Sequence, residues 1–142
     1  MDTQEHFPTM KNKKKFYTIS FFACATIIFI LSSYPRLDPP FTLPSSFLEP
    51  DKIVHFLQYF IFSYLYFMFR QSRNIQEKEI LCELFFLGIF IPLLDELHQI
   101  PIPGRSFEWY DAIADMMGFY IFVTIRIIWS FIYKTWRTNE NH

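Results

Sequence analysis

Glycine is scarce in this 142-residue chain, at 3 residues, cysteine is scarcer at 2, and the formal net charge is only −1. Each shortage excludes something. So few glycines alongside 19 phenylalanines argue against a disordered or low-complexity chain. A charge near zero provides no general attraction to nucleic acid, so no nucleic-acid partner is expected. Cys24 and Cys82 fall inside apolar stretches with no neighbouring histidine, so they read as packing residues, neither an extracytoplasmic disulfide nor a zinc motif. A G-x-S-x-G nucleophile elbow is absent, and so is the two-residue alternation of a membrane β-barrel.

What the chain has is apolar length. Hydrophobic residues make up 51% and aromatics 21%, too much for an ordinary soluble domain. They collect in four blocks, at residues 16–33, 53–69, 80–97 and 112–133. Each comes close to the roughly 20 residues a helix needs to cross a ~30 Å hydrocarbon slab. The first and last are apolar nearly all round, unlike the striped helices of a soluble bundle. Tyr17, Tyr34, Trp109, Tyr110, Tyr133 and Trp136 bracket the blocks as interfacial rings do. The expectation is an all-α membrane protein, a bundle of four transmembrane helices. It divides into an N-terminal tail over 1–15, a membrane domain over 16–133 with outer loops 34–52 and 98–111, and a C-terminal tail over 134–142.

The basic residues set the orientation. Lys11, Lys13, Lys14, Lys15, Arg70, Arg73, Lys78, Lys134 and Arg137 lie on one side, against Arg36, Lys52 and Arg105 on the other. By the positive-inside rule both termini are cytoplasmic in a multi-pass protein of the cell membrane. The first block exceeds a signal-peptide core and ends without an A-x-A-like cleavage site, so it reads as a retained helix. The proline-rich, partly apolar loop 35–50 is expected to lie on the outer interface like a lid.

With that topology, most intramembrane polar residues fall at one end. Glu83 and Arg126 are the exceptions, at similar depth on the inner side, where they are expected to pair. Asp51, Lys52, His55 and Tyr59 begin the second helix, with Asp51, His55 and Tyr59 spaced i, i+4, i+8 along one face. Asp95, Glu96 and Gln99 end the third, just past Pro92; Arg105 follows the Pro103-Gly104 turn. Asp111 and Asp115 open the fourth, with Gly118 permitting close helix approach. Capping accounts for Asp51 or Asp111 alone, but His55 and Asp115 lie too deep in their helices for that.

These residues stand in three ordered stretches: Asp51-Lys52-Ile53-Val54-His55-Phe56-Leu57-Gln58-Tyr59, then Asp95-Glu96-Leu97-His98-Gln99-Ile100-Pro101-Ile102-Pro103-Gly104-Arg105, then Asp111-Ala112-Ile113-Ala114-Asp115-Met116-Met117-Gly118. Together, over residues 51–122, they resemble the signatures of the VanZ-like family of small membrane proteins. The resemblance implies a multi-helix membrane bundle and an association with resistance to glycopeptide antibiotics such as teicoplanin. It places Asp51, Lys52, His55, Tyr59, Glu96, Gln99, Arg105, Asp111 and Gly118 at signature positions. Asp115 stands where the family usually shows asparagine, which exchanges an amide for a carboxylate.

Two functional classes follow. The first is recognition of an amphiphile in the outer leaflet: a membrane lipid, a lipid-linked envelope precursor or a lipoglycopeptide antibiotic. Its ligand-binding residues are Asp51, Lys52, His55, Tyr59, Glu96, Gln99, Arg105, Asp111 and Asp115. Lys52 and Arg105, beside the N-termini of the second and fourth helices, suit a phosphate or carboxylate. The carboxylates suit hydroxyls, ammonium groups or a divalent cation. The second is a membrane hydrolase or transferase with His55 and Glu96 as acid/base pair. No resident cofactor or dedicated metal motif is expected; His98 beside the cluster adds a second histidine without a ligand spacing. Transport fits least, because the middle of every helix is apolar.

Overall fold

The computed structural model describes residues 10–35 and 50–139, and they form four helices: α1 Met10–Ser32, α2 Pro50–Gln71, α3 Glu77–Gln99 and α4 Trp109–Asn139. Each apolar block falls on one helix; α2, α3 and α4 outrun their blocks at both ends, and α1 begins before its block and stops one residue short of its end. Residues 10–15 and 134–139, expected in the tails, are the first turns of α1 and the last of α4. Their lysines and arginine are good helix formers, so the backbone ladder continues past the point where apolar side chains stop. The proposed lid falls almost wholly on residues 36–49, outside the described residues.

Two of the helices, α1 and α4, are long and apolar enough to cross a membrane. The second and third fall short of that measure although four spans are expected. His55, Gln58 and three tyrosines dilute α2, and α3 holds Glu83, Asp95 and Glu96 within its apolar block.

Packing centres on α2 and α4. Gly118 decides how close they come: a Cβ there would lie 2.3 Å from the Phe56 carbonyl oxygen and 2.9 Å from the Phe60 nitrogen, so only glycine fits. Gly88 does the same more mildly between α3 and α4, facing Phe119. Tyr59, Phe62 and Phe67 of α2, Ile80 and Leu84 of α3, and Phe119, Phe122 and Val123 of α4 form the core, with Ile28 from α1. Tyr59 and Phe62 each place a ring 5.7 Å from that of Phe119. These edge and tilted contacts join α2 to α4 in a few large side chains. α1 leans on α2 through Phe21, stacked on Phe69 at 5.0 Å.

The connections are short where they are described. Asn74 takes φ 62° between α2 and α3, and Gly104 takes φ 74° between α3 and α4; asparagine and glycine are the residues that enter the left-handed region at least cost. The helices therefore alternate in direction, bringing the C-terminal ends of α1 and α3 beside the N-terminal ends of α2 and α4. We call this the cluster end and the opposite one the far end.

At the far end the expected Glu83–Arg126 pair does not form. Glu83 accepts from Arg70 Nε and Tyr66 hydroxyl, both at 2.8 Å, while Arg126 donates to Glu77 at 2.8 Å and lies over the Phe67 ring. Arg126 extends towards the helix end, where α3 begins with Glu77; Arg70, on the neighbouring last turn of α2, reaches Glu83 instead. Of the two free cysteines, Cys24 packs against the core but Cys82 is exposed, contrary to a packing role.

Candidate functional site

The cluster end is built from α2 outward. Lys52, His55 and Tyr59 recur at three- and four-residue intervals, which on a helix is one face, and that face turns towards α4 and α3. All three are buried, along with Glu96 and Gln99 of α3 and Asp111 and Asp115 of α4. Asp51 lies one turn out and is half-buried.

Lys52 is 2% exposed and surrounded by acid. Its ammonium pairs with Asp111, donates to Glu108 at 2.9 Å and stands 3.8 Å from Asp51. It is turned inward, towards carboxylates, not out towards a headgroup. His55 holds Asp115 through Nδ1 at 3.0 Å, and its Nε2 is 3.6 Å from Asp111. The carboxylate orienting His55 is thus Asp115, not Glu96. Asp115 is fully buried, and its second oxygen has no hydrogen-bond partner.

Glu96 is also fully buried. One oxygen accepts the Glu108 backbone N–H at 2.8 Å, and the other accepts from Gln99 at 3.2 Å. Glu108 is therefore a double link that sequence reasoning missed: its backbone engages α3, and its side chain engages Lys52 on α2. A signal existed, since Glu108 is an acid three residues before Asp111 in a loop assigned to the same side as Lys52. Arg105 leaves the Gly104 turn towards α1, donating to the carbonyls of Leu31 at 2.9 Å and Tyr34 at 3.2 Å, with Gln99 at 3.4 Å. These are carbonyls that a helix C-terminus leaves without intrahelical donors.

His98 goes to α1 as well. It shares a 2.9 Å hydrogen bond with Ser33 and stacks on Phe29. It does not join the donor groups at the cluster, which are Asp51, His55 and Asp111, and His55, Glu96 and Asp115; within each, one donor atom per residue lies within 4.8 Å of the others.

Next to the cluster, among α1, α2 and α3, is a cavity of about 390 Å³. Ala25, Ile28, Phe29, Phe62, Ile91 and Leu94 line its apolar part, with Tyr59, Asp95 and His98 supplying its polar groups. Asp95, expected only as one more acid of the cluster, faces this cavity, and Tyr59 belongs to both places. Pro92, one turn before Glu96, has no N–H for the Gly88 carbonyl, which loosens the α3 ladder beside the cavity.

The structure thus brings together, within the described residues, every site residue read from the sequence, but gives them different tasks. Lys52, Asp111 and Glu108 tie α2 to the start of α4. Arg105 ties the last loop to α1. His55, Glu96 and Asp115 form the buried centre. Comparison with curated proteins and with solved structures gave no match. The family model VanZ/LLP1 matches residues 9–132, a stretch that holds the whole cluster and nearly all of the four helices, and the chain belongs to that family.

Proposed function

We propose that the chain is a four-span membrane protein with cytoplasmic termini that binds the polar end of an outer-leaflet amphiphile. The observation that carries this is the cavity beside the cluster: about 390 Å³, apolar along most of its wall, and polar at Tyr59, Asp95 and His98. Its volume falls in the usual range for small-molecule sites, and its lining has the usual character of many apolar groups with a few fixed polar ones. Exposed hydrophobic residues on all four helices support the four spans, since Ile53, Leu57 and Ile61 of α2 and Phe86, Phe90 and Leu97 of α3 face outward as do their counterparts on α1 and α4.

The charges refine the ligand. Lys52 is engaged by Asp111 and Glu108, so it is not placed to receive a phosphate. Asp95 and His98 at the cavity favour a headgroup that donates hydrogen bonds, through hydroxyl or ammonium groups. An envelope lipid, a lipid-linked precursor and a lipoglycopeptide share that chemistry, and the family's association with glycopeptide resistance fits the last. The test is retention of amphiphile by purified protein, read by native mass spectrometry. Leu94→Trp, which fills the cavity, is expected to reduce the bound species at least tenfold against wild type. Equal retention by both sinks the reading.

A second reading rests on the His55–Asp115 hydrogen bond of 3.0 Å. A carboxylate-oriented imidazole with Glu96 close by is the equipment of general acid/base chemistry on a headgroup, in a hydrolase or transferase. Turnover of a lipid-phosphate or lipid-linked substrate, lost in His55→Ala and Glu96→Gln, would place this reading above binding alone.

A further inference from the structure

We infer that His55, Glu96 and Asp115 form a site for one divalent transition-metal ion. Three observations converge on it. The first is geometry: one donor atom from each residue lies within 4.8 Å of the other two, and the three residues come from three different helices. Donors in a tetrahedral shell with bonds near 2.0 Å are about 3.3 Å apart, so side-chain adjustments of about 1 Å close the set. The second is an orphan. Asp115 is fully buried, one of its oxygens faces His55, and the other makes no hydrogen bond. A buried carboxylate oxygen left without a donor is costly, and a cation satisfies it.

The third observation is charge. Glu96, Asp111 and Asp115 are at most 1% exposed, and the buried ammonium beside them is Lys52. Lys52 pairs with Asp111, which leaves Glu96 and Asp115 facing a histidine. Acting together as ligands, two carboxylates and an imidazole in its neutral form would be balanced by a divalent cation.

The donor set names the ion class. One imidazole nitrogen with two carboxylate oxygens suits zinc or manganese, whereas calcium and magnesium prefer oxygen alone. The surroundings match what ligands need. Asp111 stands 3.6 Å from His55 Nε2, where a ligating imidazole requires an acceptor for its remaining N–H, and Glu96 is held by Gln99 and the Glu108 backbone. Asparagine in place of Asp115 would bring a neutral oxygen and remove one of the two charges that balance the ion.

The site and the amphiphile cavity are separable, since Leu94→Trp fills the cavity and is expected to leave metal binding unchanged. The experiment uses the full chain, solubilised in detergent with a histidine-free affinity tag, stripped with chelator and titrated with Zn²⁺, Mn²⁺, Mg²⁺ and Ca²⁺. Thermal midpoint and bound-metal content are followed, and Co²⁺ serves as a coloured probe of the ligand field. Wild type is expected to bind about one Zn²⁺ or Mn²⁺ in preference to Mg²⁺ and Ca²⁺, and to give a Co²⁺ spectrum with a nitrogen ligand. Asp115→Asn and Glu96→Gln are expected to weaken binding by about 100-fold or more, since loss of an outer-shell partner alone costs about 10–100-fold, with no change in the exposed control Glu79→Gln. Absence of saturable binding by wild type overturns the inference without reference to any variant. So does wild-type affinity in folded Asp115→Asn and Glu96→Gln.

Discussion

Both ends of the bundle hold ion pairs, but they differ in balance and in wetness. At the far end Arg70 meets Glu83 and Arg126 meets Glu77, one cation to one anion, with every partner between 24% and 33% exposed. At the cluster end one lysine serves several acids, and Lys52 and Asp111 are each 2% exposed at the side chain. Half-exposed balanced pairs are structural staples of small worth, because water already solvates their members. A buried, anion-rich group has no such relief; it needs every partner it has and invites another. Though they belong to one bundle, the two ends therefore answer to different physics.

Substitution tests that difference, and the largest effect belongs to the buried pair. Lys52→Ala strands Asp111 and is expected to cost about 3–5 kcal/mol, whereas the double change Lys52→Met with Asp111→Leu restores most of the loss. Chemical or thermal unfolding in detergent measures both; a cost below 1 kcal/mol for Lys52→Ala would erase the contrast between the ends. Gly118→Ala comes next. Its new methyl meets the Phe56 carbonyl oxygen and drives α2 from α4, at about 1–3 kcal/mol by the cost of overpacking, while the equivalent Gly88→Ala, whose contacts begin at 3.2 Å, costs less. The smallest effects are expected at the far end, where Arg126→Gln and Arg70→Gln each lower stability by about 1 kcal/mol or less, fading further in high salt.

The same contrast shows what the sequence carried. Helix number, alternation and the meeting of residues 51–59, 95–99 and 111–118 follow from apolar block length and the side assigned to each loop, quantities that tolerate errors of a residue or two. Partner choice does not tolerate them. Glu83 and Arg126 share a depth, yet rotation of α3 about its axis and the reach of an arginine gave each a different partner. Arg105 was legible as a cation beside the cluster, but its direction depends on the Gly104 turn, and two of its acceptors are backbone carbonyls, which no residue name reveals. Glu108 was missed because its more consequential contact is its own N–H to Glu96. The cavity was invisible for a similar reason: it is bounded by α1, whose sequence is uniformly apolar and shows no face.

That uniformity has a kinetic consequence. In α1 only Ile28 and Ser32 are buried, so moving it away from the other three helices exposes little to the surrounding lipid that was not exposed before. Its fastening at the cluster end is polar and local: Arg105 on the carbonyls of Leu31 and Tyr34, and His98 on Ser33. For an amphiphile held in the cavity as proposed, residence time is expected to follow how long those few bonds hold. Arg105→Ala is then expected to shorten that residence before it alters how well the molecule fits.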